Sequence, residues 1–372
     1  MTAGVAALFF TLNAVRKTPE VAEWVSTRVS AAYIAVVGRI VSVIPFSVFE
    51  LAVIIAVAGG ISLAVAGIIG LFKKRRFDVL CGAVAVVFTV FCTLNIYTLT
   101  AGFAYYRDDP PVPVSEREYS AEEVVAAADY FLADYTALAE KMERDSDGCV
   151  VSPYTLGKLS DRIKAEYERL GDYYYSYTPR GKGILNSWLM SCLSLTGVTF
   201  MPLAEPDINR SIPPSEIPHT MAHEMAHAKG VAREGDANFV AYYLLLSSDD
   251  EYLRYCGYYA CFSEIINAVY ISGADEETLS RFSYPQATAD EYNYSVEYWR
   301  SQPDWIGAVS EFFNDLYLRL NGADNGTGSY NDSGNWDIID TGDKDDEGQP
   351  IYKPVYSDLM KMYFALYESA DA

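Results

Sequence analysis

Positive charge is what this chain is shortest of: 28 Lys and Arg stand against 50 Asp and Glu, a net of −22 over 372 residues. A nucleic-acid binder needs a basic surface to neutralise phosphates, so the balance argues against that class. The deficit is also uneven. Residues 1–103 hold eight basic and four acidic side chains, a net of +4, which leaves −26 for residues 104–372. Cysteine is sparse, and none of the six forms a Cys-x-x-Cys zinc pattern. Cys81 and Cys92 fall in an apolar run and read as buried thiols, whereas Cys149, Cys192, Cys256 and Cys261 allow either free thiols or three disulfide pairings. No internal repeat is present. Histidine is rarer still, at three.

Charge of either sign is missing from Leu51 to Phe72 and from Val79 to Phe103. As helices these runs are about 33 and 38 Å long, enough to cross a hydrocarbon core of about 30 Å. Buried helices of a soluble core would show charges every three or four residues instead. Lys73-Lys74-Arg75-Arg76 sits between the runs and, by the positive-inside rule, faces the cytoplasm, which puts the polypeptide after Phe103 outside. Thr2 to Val15 is apolar but short. It reads as a first span, or the tail of a longer one, because a signal peptide would carry a positive n-region. Val29, Tyr33, Val36, Val37, Ile40 and Ile44 recur at helical spacing and predict an interfacial helix over about 29–44. The membrane region is thus expected at 1–103, with spans at about 2–15, 51–72 and 79–103, followed by a Pro-rich linker at 104–119.

Residues 120–372 form the expected outer domain, mainly α with a small edge sheet. Ser120 and Glu123 make a capping-box pair that opens a helix to about Arg144. Val198 to Met201 is β-branched and aromatic, as an edge strand would be. Residues 321–350 are rich in Gly, Asn, Asp and Ser and read as an acidic, solvated loop. Asp343, Asp345, Glu347 and Gly348 give weak support to calcium there, since the acid expected near position twelve is Pro354.

All three histidines lie in one segment, Pro218-His219-Thr-Met-Ala-His223-Glu224-Met-Ala-His227-Ala-Lys-Gly230. Residues four apart on a helix are about 40° apart around its axis and one turn apart along it, so His223 and His227 can meet at one metal ion. Glu224 projects to the side, where it can take a proton from water without occupying the metal. The competing reading is a surface helix that happens to carry histidines. His219 fits helix capping or a hydrogen bond to a ligand better than ligation.

A catalytic zinc needs a third protein ligand. A third His ten residues after the first is closed off, because position 233 is Arg. Glu234 is the next candidate, provided that the helix breaks at Gly230 and the chain folds back. Asn238, one turn further on, can then hydrogen-bond a ligand. Asp236 and Glu264 remain alternative third ligands, with Glu234 then an ordinary helix-start acid.

Glu234-x-x-Ala237-Asn238 resembles the Glu-x-x-Ala-Asp segment of gluzincin membrane proteases such as the CAAX-processing and heat-shock zinc proteases, with Asn replacing Asp. More widely, the chain resembles a functionally uncharacterised bacterial family of integral-membrane zincin-like proteins. The matching residues are Pro45-Phe46-Ser47, Tyr105-Tyr106-Arg107, Thr196-Gly197-Val198, His223 through Glu234, Ala237-Asn238-Phe239, Asn314 through Leu318 and Asn321-Gly322. The resemblance implies a zincin fold, three spans and zinc, but no substrate.

The expectation is therefore a multi-pass bacterial membrane protein with an extracytoplasmic zinc-dependent metallopeptidase domain, acting on peptide or protein substrates. His223, His227 and Glu234 would hold Zn2+, with Glu224 as general base. The Val198 to Met201 strand would receive an extended peptide. With no His left over, a Tyr or Arg is the expected oxyanion donor; Tyr317 is one candidate and Asn314, an amide donor, another. The alternatives are a non-hydrolytic zinc-containing signalling or assembly protein, and a zinc amidase acting on cell-wall material.

Overall fold

The computed structural model describes residues 1–73, 76–344 and 350–371. It is mainly helical, with two small sheets. The chain opens with α1 (Thr2–Val15). Then α2 (Pro19–Val25) and α3 (Ala31–Ser42) are joined by a π-helical turn into one rod, Pro19–Ser42. α4 (Val48–Phe72) follows. α5 (Arg76–Tyr97) is prolonged by a π turn and a 3-10 turn into a rod that ends at Tyr106. Pro19–Ser42, Val48–Phe72 and Arg76–Tyr106 are each long and apolar enough to cross a membrane, which associates the chain with a bilayer.

The segment 29–44 is not a separate helix. It is the second half of a rod that starts ten residues earlier, where Pro19 occupies the first turn and its fixed φ suits a helix start. α1 has 14 residues, about 21 Å, and is too short to cross alone. It packs on α5, with Phe9 5.8 Å from Phe91 and Asn95 Nδ2 donating to Val5 O at 3.0 Å. The α4–α5 hairpin places the start of α4 and the end of α5 together. The Pro19–Ser42 rod is held at that same end at both its termini. Glu23 pairs with Arg107 at 2.8 Å, and Val41 O accepts from Lys182 Nζ at 2.8 Å. Lys74 and Arg75 of the basic cluster lie outside the described residues.

Next come α6 (Ala121–Lys141), α7 (Leu156–Glu168), β1 (Lys182–Gly183), α8 (Ser187–Cys192), β2 (Gly197–Phe200) and β3 (Glu205–Ile208). They are followed by α9 (Glu216–Ala228), α10 (Glu234–Leu246), α11 (Glu251–Ile271), α12 (Glu276–Leu279), α13 (Ala289–Arg300) and α14 (Asp304–Leu320). β4 (Asp337–Lys344), β5 (Pro350–Val355) and α15 (Asp358–Asp371) complete the chain. Both halves of the Ser120–Glu123 capping box form. From there α6 buries Val124, Ala127, Ala128, Phe131, Tyr135 and Leu138, the three- and four-residue spacing of a single apolar face. That face meets α11 and α15, with Tyr135 stacked 5.2 Å from Tyr258 and Phe131 4.9 Å from Tyr363.

The first sheet has the order β1-β3-β2, with β1 parallel and β2 antiparallel to the central β3, in the register Val198↔Asp207. β2 is therefore an edge strand, running Gly197–Phe200.

Two segments differ from the sequence expectation. The 104–119 linker is packed into the fold: Val112 and Tyr119 join the core, and Ser115 N donates to Lys361 O at 3.0 Å. Apolar residues between its prolines give it surface to bury. Likewise, 321–350 is not a plain solvated loop, for Gly326–Gly334 forms a 3-10 helix against α10 and β4 pairs with β5. Small residues allow that approach. A Cβ on Gly235 would stand 2.7 Å from Ser329 O. Asp345, Glu347 and Gly348, the weak calcium pattern, lie outside the described residues.

Candidate metal centre

α9 is amphipathic in a way that sets the site. Met221, Ala222, Met225 and Ala226 enter the core, which turns His219, His223, Glu224 and His227 towards a cavity of about 600 Å³. The helix ends at Ala228, and Gly230 just past it has a φ of +93°, the left-handed conformation of a C-terminal cap. Val231 N donates back to Ala226 O at 3.1 Å, closing that cap. Arg233 is extended, and α10 then starts at Glu234. The fold-back brings Glu234 Oε2 to 3.1 Å from His223 Nε2 and 3.2 Å from His227 Nε2. The two Nε2 atoms are 3.1 Å apart.

The outer ring nitrogens fix which nitrogen faces inward. His223 Nδ1 donates to Asn238 Oδ1 at 2.8 Å, and His227 Nδ1 donates to Val231 O at 2.8 Å. Both Nε2 lone pairs therefore converge with a carboxylate oxygen. Three mutually repelling acceptors at this spacing call for a cation. Tetrahedral zinc with bonds of about 2.0–2.1 Å needs ligand atoms about 3.3 Å apart, so the donor set and its spacing fit zinc. The three ligand atoms lie within 4.8 Å of one another, and among the described residues this is the one such group. The Glu234 carboxylate draws positive charge into the site, whether a metal ion or a proton on His227. Burial opposes the charged form of His227, but Glu234 outweighs it and pushes the pKa up to about 9. Burial also works against the Glu234 carboxylate, yet His227 and His223 hold it well below the usual range.

Glu224 lies beside the cluster. Thr199 Oγ1 stands 2.7 Å from both its Oε2 and its backbone carbonyl, tying β2 to α9. Burial raises the Glu224 pKa, partly offset by His223 and His227. Gly197 makes room, since a Cβ there would be 2.6 Å from Glu224 Cγ.

The other candidates sort clearly. Asp236 pairs with Arg233 at 2.5 Å and Glu264 lies on α11, so neither joins the histidines. His219 neither caps α9 nor bonds a ligand. It stacks 4.4 Å from Tyr242 with Nε2 unpartnered, and burial, then His223, lower its pKa to about 3. Tyr317 and Asn314 both line the cavity, and so does Tyr330 from the 3-10 helix, stacked 6.3 Å from the His223 ring. Tyr317 shares its hydroxyl with Tyr97 at 2.5 Å and Tyr105 at 3.1 Å. All six cysteines are free.

Thr199, Gly197, Tyr330 and Arg107 were not picked out as functional by their residue type. Arg107 binds Glu23, Gly230 O and Tyr173 O together and so supports the Gly230 turn. A lone tyrosine amid Gly, Asn, Asp and Ser was the available signal for Tyr330.

No curated protein and no solved structure matches the chain. A family model described as "Protein of unknown function (DUF3810)" matches residues 26–336, taking in α3, the α4–α5 hairpin and the His223, His227 and Glu234 cluster, and the chain belongs to that family.

Proposed function

We propose that the chain is a membrane-anchored, zinc-dependent metallopeptidase of zincin-like architecture, anchored by α4 and α5 with its folded domain outside the cytoplasm. The convergence of His223 Nε2, His227 Nε2 and Glu234 Oε2 beside Glu224 carries this reading. Zinc held by those three residues would supply Lewis acidity, making a water acidic near neutral pH and polarising a carbonyl.

The chain's own groups supply the rest. Glu224, basic through burial and oriented by Thr199, accepts the water proton on its carboxylate and passes it to the leaving amine. The free edge of β2 offers backbone groups to an extended peptide. Tyr330 is the best-placed donor for a developing oxyanion. Its hydroxyl accepts from Asn314 Nδ2, leaving its own proton to give, and burial followed by Glu234 raises its pKa so that it stays protonated.

The test separates metal from base. Glu224→Gln should retain one zinc per chain by metal analysis and lose peptide hydrolysis at least about 100-fold. Cleavage of a peptide library at the wild-type rate by the zinc-loaded variant would falsify the mechanism. A non-hydrolytic zinc protein has no use for a buried base beside its metal, which disfavours that alternative. Peptidoglycan fragments in the same screen would reveal an amidase.

A further inference from the structure

α14 carries large apolar side chains that the fold leaves uncovered. Trp305 is 73 % exposed, Phe312 65 % and Leu320 71 %, with Val309 and Leu316 also exposed. At 100° per residue these five lie within an arc of about 80°, a single stripe along the helix. The adjoining side of the same helix, Ser310, Phe313, Asn314 and Tyr317, lines the metal-centre cavity. One helix thus forms both a wall of the cavity and a naked hydrophobic ridge beside its mouth.

What covers the ridge follows from its attachments. At the C-terminal end of α14, Arg16 donates to Leu320 O at 3.3 Å and to Asn321 Oδ1 at 3.2 Å, and Tyr317 bonds Tyr97 of the α5 rod. Its N-terminal half packs by α8, where a Cβ on Gly307 would be 2.8 Å from Ser194 Oγ. The turn leading into α8 is in turn fastened to the start of α4. Leu185 N and Asn186 N donate to the Glu50 carboxylate at 2.9 and 2.8 Å. Leu185 and Trp188 there are also largely exposed. The ridge is therefore continuous with the ends of both helices of the α4–α5 hairpin, on the side where the chain leaves it. Exposed tryptophans at that level suit a bilayer interface.

We propose that the α14 stripe, extended by Leu185 and Trp188, docks on the bilayer and lays the mouth of the metal-centre cavity against it. The substrates are then polypeptide segments that emerge from or lie on the membrane. The substrate class rests on the peptidase reading above; the docking surface does not.

The experiment uses the full chain in phosphatidylcholine vesicles with a photoreactive phenylalanine analogue at Phe312, at Leu316 or, on the opposite side, at Glu311. Lipid adducts at 312 and 316 several-fold above 311 are expected. Equal labelling at all three, or adducts to a second copy of the chain, overturns the docking surface. In parallel, the zinc-loaded chain receives one peptide either tethered to the vesicles by a lipid anchor or free. Tethering should speed cleavage at least tenfold, and Phe312→Asp with Leu316→Asp should slow the tethered peptide more than the free one. Equal rates overturn the substrate class. Cleavage of neither peptide overturns the peptidase reading and the substrate class with it, while the lipid adducts still decide docking.

Discussion

At the scale of single residues, the proposed metal centre rests on acceptors placed where a cation would relieve them. His223→Ala removes one of three converging ligand atoms and Glu234→Gln removes the charge of another, and each should cost at least about tenfold in zinc affinity, read by chelator competition. Tyr330→Phe should keep zinc and lower kcat by roughly 100-fold with KM little changed, the signature of a donor used in the transition state. An unchanged kcat would move that role elsewhere.

Asp207, behind β2, offers a pH test at the same scale. It is buried and has no well-formed hydrogen bond. Burial first, then the Glu205 carboxylate, push its pKa from 3.8 up to about 8, with Ser47 and Lys182 only partly opposing. A folded pKa above the unfolded one means that its stability contribution is full below about pH 4 and is lost as pH rises through about 8. Asp207→Asn, which cannot ionise, should therefore raise Tm relative to wild type at pH 8–9. The gap should close towards pH 4, and a gap independent of pH would show that Asp207 is not responsible.

At the scale of elements, the centre depends on two close approaches. Gly230 turns α9 into α10 in a left-handed conformation that costs a non-glycine residue roughly 1–2 kcal/mol. An added Cβ would also meet the Tyr175 ring at 2.5 Å. Gly230→Ala should thus lower both thermal stability and zinc affinity, because Glu234 is carried by the turn. Gly197→Ala presses first on the Glu224 side chain, so it should reduce turnover while sparing zinc content. The break at Gly230 was legible, since a histidine pair one turn apart needs a third ligand that no unbroken helix could bring. The 3-10 helix that carries Tyr330 was not. A polar, glycine-rich composition predicts solvation, and only contact with α10, α14 and α15 gives Gly326–Gly334 something to order against.

For the whole molecule, the −26 of residues 104–372 surrounds a site at the end of the apolar hairpin. That field should favour neutral or basic peptides over acidic ones, with the preference shrinking as salt is raised. A peptide library profiled at low and high ionic strength would show it, and best cleavage of acidic peptides would count against it. The same arrangement ties the anchor to the site. Glu205 on β3 accepts from Val48 N and Phe49 N at the start of α4, while β2 on its other side holds Glu224 through Thr199.

Periodicity and charge determined what is local. The lengths and apolarity of the hairpin helices, the capping box on α6, the edge strand and the His223–Glu224–His227 triplet all depend on residues within one or two turns of each other. Only the tertiary structure brought Glu234 rather than Asp236 or Glu264 beside the histidines, laid the Pro19–Ser42 rod across the end of the hairpin, packed the 104–119 segment into the core and brought Tyr330 over His223. Those outcomes depend on contacts between residues up to hundreds of positions apart, and a one-dimensional pattern carries no term for such distances.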